Sequence, residues 1–489
     1  MPFRCASILS SRRMIAESVS LANLNKHVKD ASYAVRGPIV ARAQEIAKTK
    51  SIISCNIGNP HALNQKSLSF IRDVLSLVVN PSLASRGEGV FPADAVARAN
   101  KYLSSIPGAG AYTDSQGIAA VRQEIAQFLL ERDGFAADPS DIFLTNGASE
   151  GVRLCMQTII RDPASNGGVR DGVLTPIPQY PLYSALSTLL QAELLPYYLD
   201  EANSWNITVD MLDQSLQKAR QAGVSTRALV IINPGNPTGQ VLPESAMKEV
   251  VSWCRANKIC LMADEVYQEN IWKEGAKFVS FRKVALGMEA FSGENPLQLI
   301  SFHSISKGFL GECGLRGGFF EVLGLPADVK AEVLKLASIS LCSNTIGQIA
   351  TGLMVQPPKM SDPSYAVYEK ERSDILQSLQ RRAEKLSAAL NGLEGVSCNS
   401  IDGALYAFPS ITLPAKAVAE AARRGTAPDA MYCMDLLETT GVVVVPGSGF
   451  GQKENTYHFR TTILPAEDKI ADVVTLLSGF HDGFMKKYA

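Results

Sequence analysis

The stretch RALVIINPGNPTGQVLPESAMKEVVSWCRANKICLMADEVY, residues 227–267, reads as a strand, a helix and a second strand. Its two apolar runs, at 228–232 and 259–263, have the length of buried strands. Between them, LPESAMKEVVSWCRAN has the apolar spacing of an amphipathic helix. Both strands end in polar clusters, NPGNPTG and DEVY. The stretch therefore predicts an α/β fold with a largely parallel sheet whose carboxyl edge carries polar side chains.

The same alternation continues on both sides of this unit. Strand-like runs occur in DIFLTNG (141–147), DGVLTPIPQYP (171–181) and LQLISFHS (297–304). Helical stretches occur in ASEGVRLCMQTII (148–160) and LYSALSTLLQAEL (182–194). After about residue 360, one long amphipathic helix, YEKERSDILQSLQRRAEKLSAALNGL, leads into three strand-like runs broken by glycine and proline. This second pattern indicates a smaller α+β domain.

Composition narrows the possible function classes. The chain has 489 residues, 46% of them hydrophobic, and a formal net charge of −1, which gives no electrostatic case for nucleic acid or an anionic membrane. No apolar run approaches the roughly 20 residues that span a bilayer, so we predict a soluble protein. The nine cysteines are scattered singly, which favours neither a metal site nor a disulfide framework and fits a reducing compartment.

The first residues, MPFRCASILSSRRMIAESVS, contain three arginines, several serines and no acid before Glu17. This composition is typical of a mitochondrial presequence, and equally of a solvated tail. We predict a cytoplasmic protein, with the mitochondrion as the alternative. The predicted domain limits are an N-terminal extension at 1–30, an arm and part of the small domain at 31–90, a large domain at 91–355 and a C-terminal small domain at 356–489.

Two of the polar clusters could bind the ends of a ligand. Ala148 and Ser149 open a helix after a glycine turn, where backbone N–H groups and a hydroxyl could hold a phosphate. The alternative is an ordinary capped helix start. Asn236, in NPGNPTG, could donate its amide to a phenolic or carbonyl oxygen, although many turns have this composition.

The other two clusters hold ionisable groups. Asp264 ends a buried strand, where a carboxylate is costly unless it has a cationic partner, and Tyr267 could reach the same ligand. Sheet-edge acids also cap neighbouring helices, so both readings stay open. Lys307 follows two serines in a loop at the same edge, where most lysines are simply solvated. Arg316 could meet an anion there with two parallel hydrogen bonds.

Together these groups fit one ligand, pyridoxal 5′-phosphate. Lys307 could meet its aldehyde, Asp264 its ring nitrogen, and Asn236 with Tyr267 its ring oxygen. The candidates for its phosphate are Ser149, Ser304, Ser306 and Arg316.

The segments NPGNPTG, ADEVY and SISKG followed by LRGG, in this order and spacing, resemble the fold type I, class I/II aminotransferases. The resemblance extends from YTDSQG (112–117) to HFRTTIL (458–464). It implies a pyridoxal-phosphate-dependent transferase fold, with a mostly parallel seven-stranded sheet between helices in the large domain and a smaller α+β domain.

The resemblance also implies roles for individual residues. Lys307 would form a Schiff base with the cofactor and later move the substrate proton, and Arg460, helped by the backbone at Gly58, would bind the substrate α-carboxylate. Tyr180 would stack on the cofactor ring, and Tyr112 would reach the phosphate of a neighbouring subunit, which implies a homodimer with shared sites. The implied catalytic residues are Lys307, Tyr267 and Asp264. The implied cofactor-binding residues are Ala148, Ser149, Tyr180, Asn236, Asp264, Tyr267, Ser304, Ser306, Lys307, Arg316 and Tyr112.

Within the family, YAVRGPIV, SFHSISKG, GECGLRGG and HFRTTIL most resemble members that exchange the amino group between L-alanine and 2-oxoglutarate by ping-pong kinetics. Members that act on glutamate and glyoxylate share much of these stretches. A lyase on this fold is a further alternative, and a non-catalytic regulator is disfavoured by the near-neutral charge. Arg36 is a candidate for the distal carboxylate of 2-oxoglutarate.

Overall fold

The computed structural model describes residues 18–33, 37–87 and 89–489. Most of the predicted presequence and Arg36 lie outside the described residues. The described helices are α1 (Lys26–Asp30), α2 (Pro38–Ile46), α3 (Ser69–Val79), α4 (Leu83–Arg86), α5 (Ala93–Leu103), α6 (Ala119–Asp133), α7 (Ala148–Ile159), α8 (Leu182–Leu189), α9 (Val209–Gln221), α10 (Glu244–Asn257), α11 (Phe281–Gly287), α12 (Ala327–Ile339), α13 (Thr345–Val355), α14 (Tyr365–Asn391), α15 (Ala415–Arg423), α16 (Pro428–Thr440) and α17 (Glu467–Tyr488).

A seven-stranded sheet lies at the centre of the molecule. The described strands are β1 (Ile53–Ser54), β2 (Ile142–Thr145), β3 (Asp171–Ile177), β4 (Glu193–Tyr198), β5 (Ser225–Ile232), β6 (Cys260–Asp264), β7 (Leu299–Ser304), β8 (Gly318–Leu323), β9 (Val396–Ser397), β10 (Tyr406–Ala407), β11 (Ser410–Ile411), β12 (Val442–Val443), β13 (Val445–Pro446) and β14 (Phe459–Thr462). The sheet order is β2-β8-β7-β6-β5-β3-β4. Only β8 runs antiparallel to its neighbours in this sheet. The mostly parallel seven-stranded sheet confirms the predicted fold class.

Helices cover both faces of the sheet because the strand side chains alternate between them. On β5, Leu229 and Ile231 pack with α9, α10 and α11 on one face. Ala228, Val230 and Ile232 pack with α7, α8 and α12 on the other. Every residue of β5 from Ala228 onward is therefore buried, as expected for a parallel strand between two helical layers.

Helix α10 shows how the sequence determines these layers. Met247, Val250, Val251 and Cys254 are spaced i, i+3, i+4 and i+7, and all four are buried. The helix ends at Asn257, and the next residue, Lys258, adopts a positive φ of 56° that turns the chain toward β6. This unit, residues 227–267, has the strand–helix–strand structure that its sequence predicts.

Two details of the sheet differ from the sequence-based prediction. The stretch predicted as helical to residue 194 ends as a helix at Leu189, because Glu193 already pairs with Gly172 in the edge strand β4. The sequence did not predict β8 at all. It runs antiparallel because residues 305–317, which contain no α-helix, return the chain directly beside β7.

The C-terminal part packs together with the N-terminal residues 39–55. Strand β1 pairs in parallel with β12 through Ile53 and Val442. Ile39, Ala43 and Ile46 of α2 belong to the same hydrophobic cluster as α14, α16 and α17. This packing is compatible with the predicted small domain, whose limits stay a prediction.

The carboxyl edge of the sheet collects the polar ends of the strands. Asp264 lies opposite Ile232 on one side and Phe302 on the other. Ser304, at the end of β7, lies opposite Gly318. Among the described helices, none has the length and apolar character needed to cross a membrane.

Candidate active site

A cavity of about 390 Å³ lies at this carboxyl edge, between the sheet and the C-terminal part. A volume of this size suits a small ligand with a few polar anchors. Twelve of the residues predicted from the sequence line it: Gly58, Ala148, Ser149, Tyr180, Asn236, Asp264, Tyr267, Ser304, Ser306, Lys307, Arg316 and Arg460. The thirteenth, Tyr112, is 76% exposed and does not line the cavity in the described part of this chain.

Lys307 reaches into the cavity from the loop after β7. Its Nζ donates a hydrogen bond to the backbone oxygen of Gly58 at 2.7 Å and lies 5.8 Å from the ring centroid of Tyr267. Gly58 has no room for a side chain, because a Cβ atom would lie 2.0 Å from the hydroxyl of Tyr406 and 3.1 Å from Nζ of Lys307. The backbone of residue 58 therefore approaches the lysine as closely as only glycine allows.

Asp264 is the buried anion of the site. Its Oδ2 accepts a hydrogen bond from the hydroxyl of Tyr183 at 2.8 Å, whereas its Oδ1 has no partner among the described residues. Burial raises the pKa of the carboxyl, and the hydrogen bond from Tyr183, the backbone N–H of Val266 and the charge of Lys307 lower it only in part. Oδ1 is thus free to pair with a protonated ring nitrogen.

A chain of hydrogen bonds crosses the floor of the cavity. Nδ2 of Asn236 donates to the hydroxyl of Tyr267 at 3.3 Å, and Tyr267 donates to the hydroxyl of Tyr406 at 3.3 Å. Burial raises the pKa of Tyr267 well above its ordinary value, so it stays a donor. Burial also raises the pKa of Tyr406, but the charges of Lys307 and Arg460 and the hydrogen bond from Tyr267 together lower that pKa below its ordinary value. The hydroxyl of Tyr406 is therefore suited to accept the hydrogen bond from Tyr267.

The cavity lining also includes groups suited to a phosphate. Ala148 and Ser149 form the first turn of α7, after Gly147 at φ 78°. Free N–H groups and the positive end of a twelve-residue helix attract an anion there. Arg316 lies against this turn: a Cβ on Gly147 would be 2.5 Å from its Nη2. The hydroxyl of Ser304 accepts from the backbone N–H of Ser306 at 3.0 Å, which keeps both serines on the same side of the loop.

Arg460 is a buried cation without an anion. It is 2% exposed, and its guanidinium donates only to the backbone oxygen of Asn56 at 2.7 Å and to Oδ1 of Asn236 at 3.3 Å. Its Cζ lies 4.3 Å from the ring centroid of Tyr406 and 4.7 Å from that of Phe450. Nε has no partner, and no carboxylate in the described ranges pairs with this arginine. A buried guanidinium in this state is suited to bind a carboxylate from a substrate.

Tyr180 lines the cavity immediately before α8. Its hydroxyl shares a hydrogen bond of 2.8 Å with the hydroxyl of Tyr33, a residue of the N-terminal segment that also lines the cavity. The two rings meet edge to face, with centroids 6.4 Å apart. Tyr33 therefore helps to fix the position of the Tyr180 ring.

The chemistry of these groups fits pyridoxal 5′-phosphate. Asp264 offers a buried carboxylate oxygen without a partner, and the start of α7 with Arg316 offers an anion site. Lys307 offers a primary amine in the same cavity. Within 18–33, 37–87 and 89–489, no group of three or more His, Cys, Asp or Glu side chains is arranged to hold a metal ion.

Sequence reasoning missed several residues that line or support the cavity, among them Tyr33, Tyr183, Cys313 and Tyr406. The signal that could have indicated Tyr183 is its closeness in sequence to Tyr180, three residues earlier in PQYPLY. Tyr406 lies in GALYAFP, which the sequence marked only as strand-like. No local signal in that stretch indicates that its tyrosine meets Lys307 and Arg460.

Comparisons with known proteins agree with this geometry. The family model for aminotransferase class I and II matches residues 72–475. The chain is 50% identical over 484 residues to alanine aminotransferase 2, mitochondrial, of Arabidopsis thaliana, covering 96% of this chain and 88% of that protein. It is 48% identical over 480 residues to glutamate–glyoxylate aminotransferase 2 of the same plant, covering 97% of this chain and 98% of that protein. A crystal structure of an aminotransferase from Escherichia coli has a TM-score of 0.73 and 25% identity, covering 94% of this chain and 98% of that one.

Proposed function

The chain belongs to the class I and II aminotransferases, and from this premise we propose that it transfers the amino group of L-alanine to 2-oxoglutarate, reversibly, giving pyruvate and L-glutamate. The observation that carries the proposal is Arg460, a buried guanidinium without a carboxylate partner, in the same cavity as the Lys307 amine. An α-amino acid supplies the carboxylate that Arg460 lacks. The names and identities of the relatives support alanine as the donor.

Pyridoxal 5′-phosphate is the proposed cofactor. When bound, it supplies the electron sink that stabilises negative charge developing on the substrate Cα. Asp264 would hold the ring nitrogen through Oδ1, and Asn236 with Tyr267 would hold the ring oxygen. The phosphate would lie among Ala148, Ser149, Ser304, Ser306 and Arg316, and Tyr180 would pack on the ring.

The protein's own groups position the substrate and move one proton. Arg460 would bind the α-carboxylate beside the rings of Tyr406 and Phe450, whose apolar surfaces would exclude water and strengthen the ion pair. The free Nζ of Lys307 would then remove the Cα proton as general base and return it later in the cycle. The backbone oxygen of Gly58, which already accepts from Nζ, would stabilise the lysine while it carries that proton.

We also propose a homodimer in which Tyr112 completes the site of the second subunit. Tyr112 is exposed, and other exposed apolar side chains, Ile339 and Leu341, flank the start of α13. Thr345 at that start donates to the backbone oxygen of Ala111 at 3.4 Å, which places Tyr112 near the same surface. Exposed apolar groups gathered in this way are typical of an interface.

A second donor and acceptor pair, glutamate and glyoxylate, is the alternative. The relative with that name is 48% identical over nearly the whole chain, within two percentage points of the alanine enzyme. The two donor and acceptor pairs therefore have to be distinguished by measuring which substrates react.

The compartment is a separate proposal. We propose the cytoplasm, and the mitochondrial name of one relative supports the alternative, the mitochondrion.

The decisive experiment measures one half-reaction at a time. Purified protein saturated with pyridoxal 5′-phosphate is mixed with excess L-alanine and no keto acid, and pyruvate and the visible absorbance of the cofactor are recorded together. We expect about one pyruvate per site and loss of the visible band, with neither in the Lys307→Ala variant. Conversion by L-glutamate but not by alanine, followed by turnover with glyoxylate, would replace the proposed pair with the alternative.

A further inference from the structure

Tyr183 is a fully buried tyrosine whose hydroxyl makes a single hydrogen bond, to Asp264. The side chain is 0% exposed, and its hydroxyl lies 2.8 Å from Oδ2 of Asp264. Tyr183 belongs to α8, and its ring packs in the apolar cluster of Val152, Cys155 and Ile232. The apolar packing on all sides leaves the ring one position, so the hydroxyl is held at a defined point beside the carboxylate.

The partner of Tyr183 has one used and one unused oxygen. Oδ2 of Asp264 accepts from Tyr183, and Oδ1 is buried with no hydrogen-bond partner in the described residues. The strand neighbours of Asp264, Ile232 and Phe302, are apolar and cannot orient a carboxylate. An oxygen left without a partner in such surroundings is costly unless a ligand pairs with it.

We propose that Tyr183 is a positioning residue of this site: its hydroxyl holds Asp264 by Oδ2, so that Oδ1 is presented to the ring nitrogen of the cofactor. The inference rests on the proposed function, because it assumes that Asp264 faces that nitrogen. It adds a residue that touches neither substrate nor cofactor. In this arrangement Tyr183 orients the carboxylate of Asp264, and Tyr180, three residues earlier in the chain, packs on the cofactor ring.

The hydrogen bond has an electrostatic consequence as well as a geometric one. Burial raises the pKa of Asp264, and the hydrogen bond from Tyr183 is the largest of the contributions that lower it again. The other opposing groups are the backbone N–H of Val266 and the charge of Lys307. Without the Tyr183 hydroxyl, the pKa of Asp264 would rise further, and a protonated Asp264 could no longer pair with a protonated nitrogen.

The test compares two buried tyrosines that each lose one hydroxyl. Tyr183→Phe removes the donor to Asp264. Tyr197→Phe removes a donor of similar length, 2.7 Å to the backbone oxygen of Val230, from a tyrosine that is also buried but lies outside the cavity. Apoprotein of the native chain and of both variants is titrated with pyridoxal 5′-phosphate at several pH values, with tryptophan fluorescence as the readout. Thermal unfolding of each apoprotein checks that the folds are comparable.

We expect Tyr183→Phe to weaken cofactor binding by about 10- to 100-fold, the range for a lost hydrogen bond to a charged group. The ratio of the variant to the native dissociation constant should grow as the pH falls, since the Asp264 of the variant is protonated first. Tyr197→Phe should bind the cofactor like the native protein.

Native affinity and an unchanged pH dependence in Tyr183→Phe would overturn the inference, as would an equal loss in Tyr197→Phe, which would indicate a general packing effect. If the native protein binds the cofactor but forms no pyruvate from alanine, the donor assignment fails and the inference on Tyr183 stands on its own result. If the native protein binds no pyridoxal 5′-phosphate, both proposals fail together.

Discussion

At the scale of single residues, Arg460 is a buried cation that has neither an anionic partner nor a full set of hydrogen-bond acceptors among the described residues. Two oxygens and two aromatic faces contact its guanidinium, but Nε has no partner and no carboxylate of the described ranges neutralises it. A buried cation in this state is costly for folding, because desolvation is only partly offset by amide oxygens and rings. The substrate carboxylate would supply the missing anion. The unfavourable free energy of the buried, unpaired guanidinium would then be relieved only by a ligand that carries a carboxylate.

Arg460→Lys tests this role. Lysine keeps the charge but cannot make the paired hydrogen bonds of a guanidinium, so we expect kcat/KM for L-alanine to fall by about 100-fold, chiefly through KM. Initial rates over a range of alanine concentrations measure the effect. Arg382→Lys is the matched control, since Arg382 is half-buried and donates to the backbone oxygen of Leu464 outside the cavity. A loss of less than threefold at Arg460, or an equal loss at both positions, would contradict the carboxylate role.

At the scale of elements, the end of β6 places two neighbouring acids in opposite layers. Asp264 lines the cavity, whereas Glu265 turns to the other side of the sheet. There Glu265 accepts from the backbone N–H of Phe281 at 2.7 Å and from the hydroxyl of Ser301 at 2.8 Å, which ties β6 to the start of α11 and to β7. Complete burial raises the pKa of Glu265 to about 7, although the charge of Arg132 opposes the shift.

This shift makes the stability of the apoprotein depend on pH. An unfolded Glu titrates near 4.5, so between pH 4.5 and about 7 the folded state holds one more proton than the unfolded state at Glu265. The contribution of Glu265 to the free energy of unfolding therefore decreases as the pH rises through this window, by at most about 3 kcal/mol. His303 opposes it, because burial lowers the pKa of its ring to about 3, and its contribution to stability increases as the pH rises toward 6.5. In Glu265→Gln, which keeps an acceptor for Phe281, this contribution of Glu265 is lost, so we expect the variant to gain stability relative to the native protein as the pH rises from 5.0 to 7.5.

Denaturant unfolding of the native and Glu265→Gln apoproteins at pH 5.0 and 7.5 measures the difference. The variant should still show a pH dependence, because burial also raises the pKa of Asp264 and of Glu321 and lowers that of His303 to about 3. Identical slopes in the two proteins would show that Glu265 does not titrate in this range.

At the scale of the whole molecule, the site exists only where distant parts of the chain meet. Gly58 comes from the N-terminal segment, Lys307 from the sheet edge, and Arg460 from β14 in the C-terminal part. Hydrogen bonds join these parts directly, Lys307 to Gly58 and Arg460 to Asn56. In the proposed homodimer, Tyr112 of one subunit would add a further residue to the site of the other subunit.

Mixed dimers test whether Tyr112 acts across the interface. We expect the homodimers of Lys307→Ala to be inactive and those of Tyr112→Ala to bind the cofactor at least about tenfold more weakly. In a heterodimer of the two variants, one site would combine an intact Lys307 with the intact Tyr112 of the other subunit. That dimer, purified with two different tags, should recover about half of the native activity per dimer. No recovery beyond the Tyr112→Ala homodimer would place Tyr112 outside the partner's site.

The sequence alone determined the α/β class and the edge at which the site lies. Both follow from local patterns: apolar runs of strand length, amphipathic helices between them, and polar residues where each strand ends, as in the unit at 227–267. Parallel strands necessarily bring those ends to one edge. Nine of the twelve predicted residues that line the cavity follow from these patterns, whereas Gly58, Tyr180 and Arg460 were named only from the family resemblance. The binding roles of all twelve stay predictions.

Only the tertiary structure decided which side chains pair inside the cavity. Tyr183 meets Asp264 across 81 residues, and Tyr406 meets Tyr267 across 139. The direction of β8 and the absence of space beside Gly58 likewise depend on how the loop at 305–317 and β10 pack against the rest. The physical reason is that periodicity and chain breaks are encoded locally, whereas a hydrogen bond between distant residues forms only after the intervening layers have packed. No stretch of sequence specifies that geometry by itself.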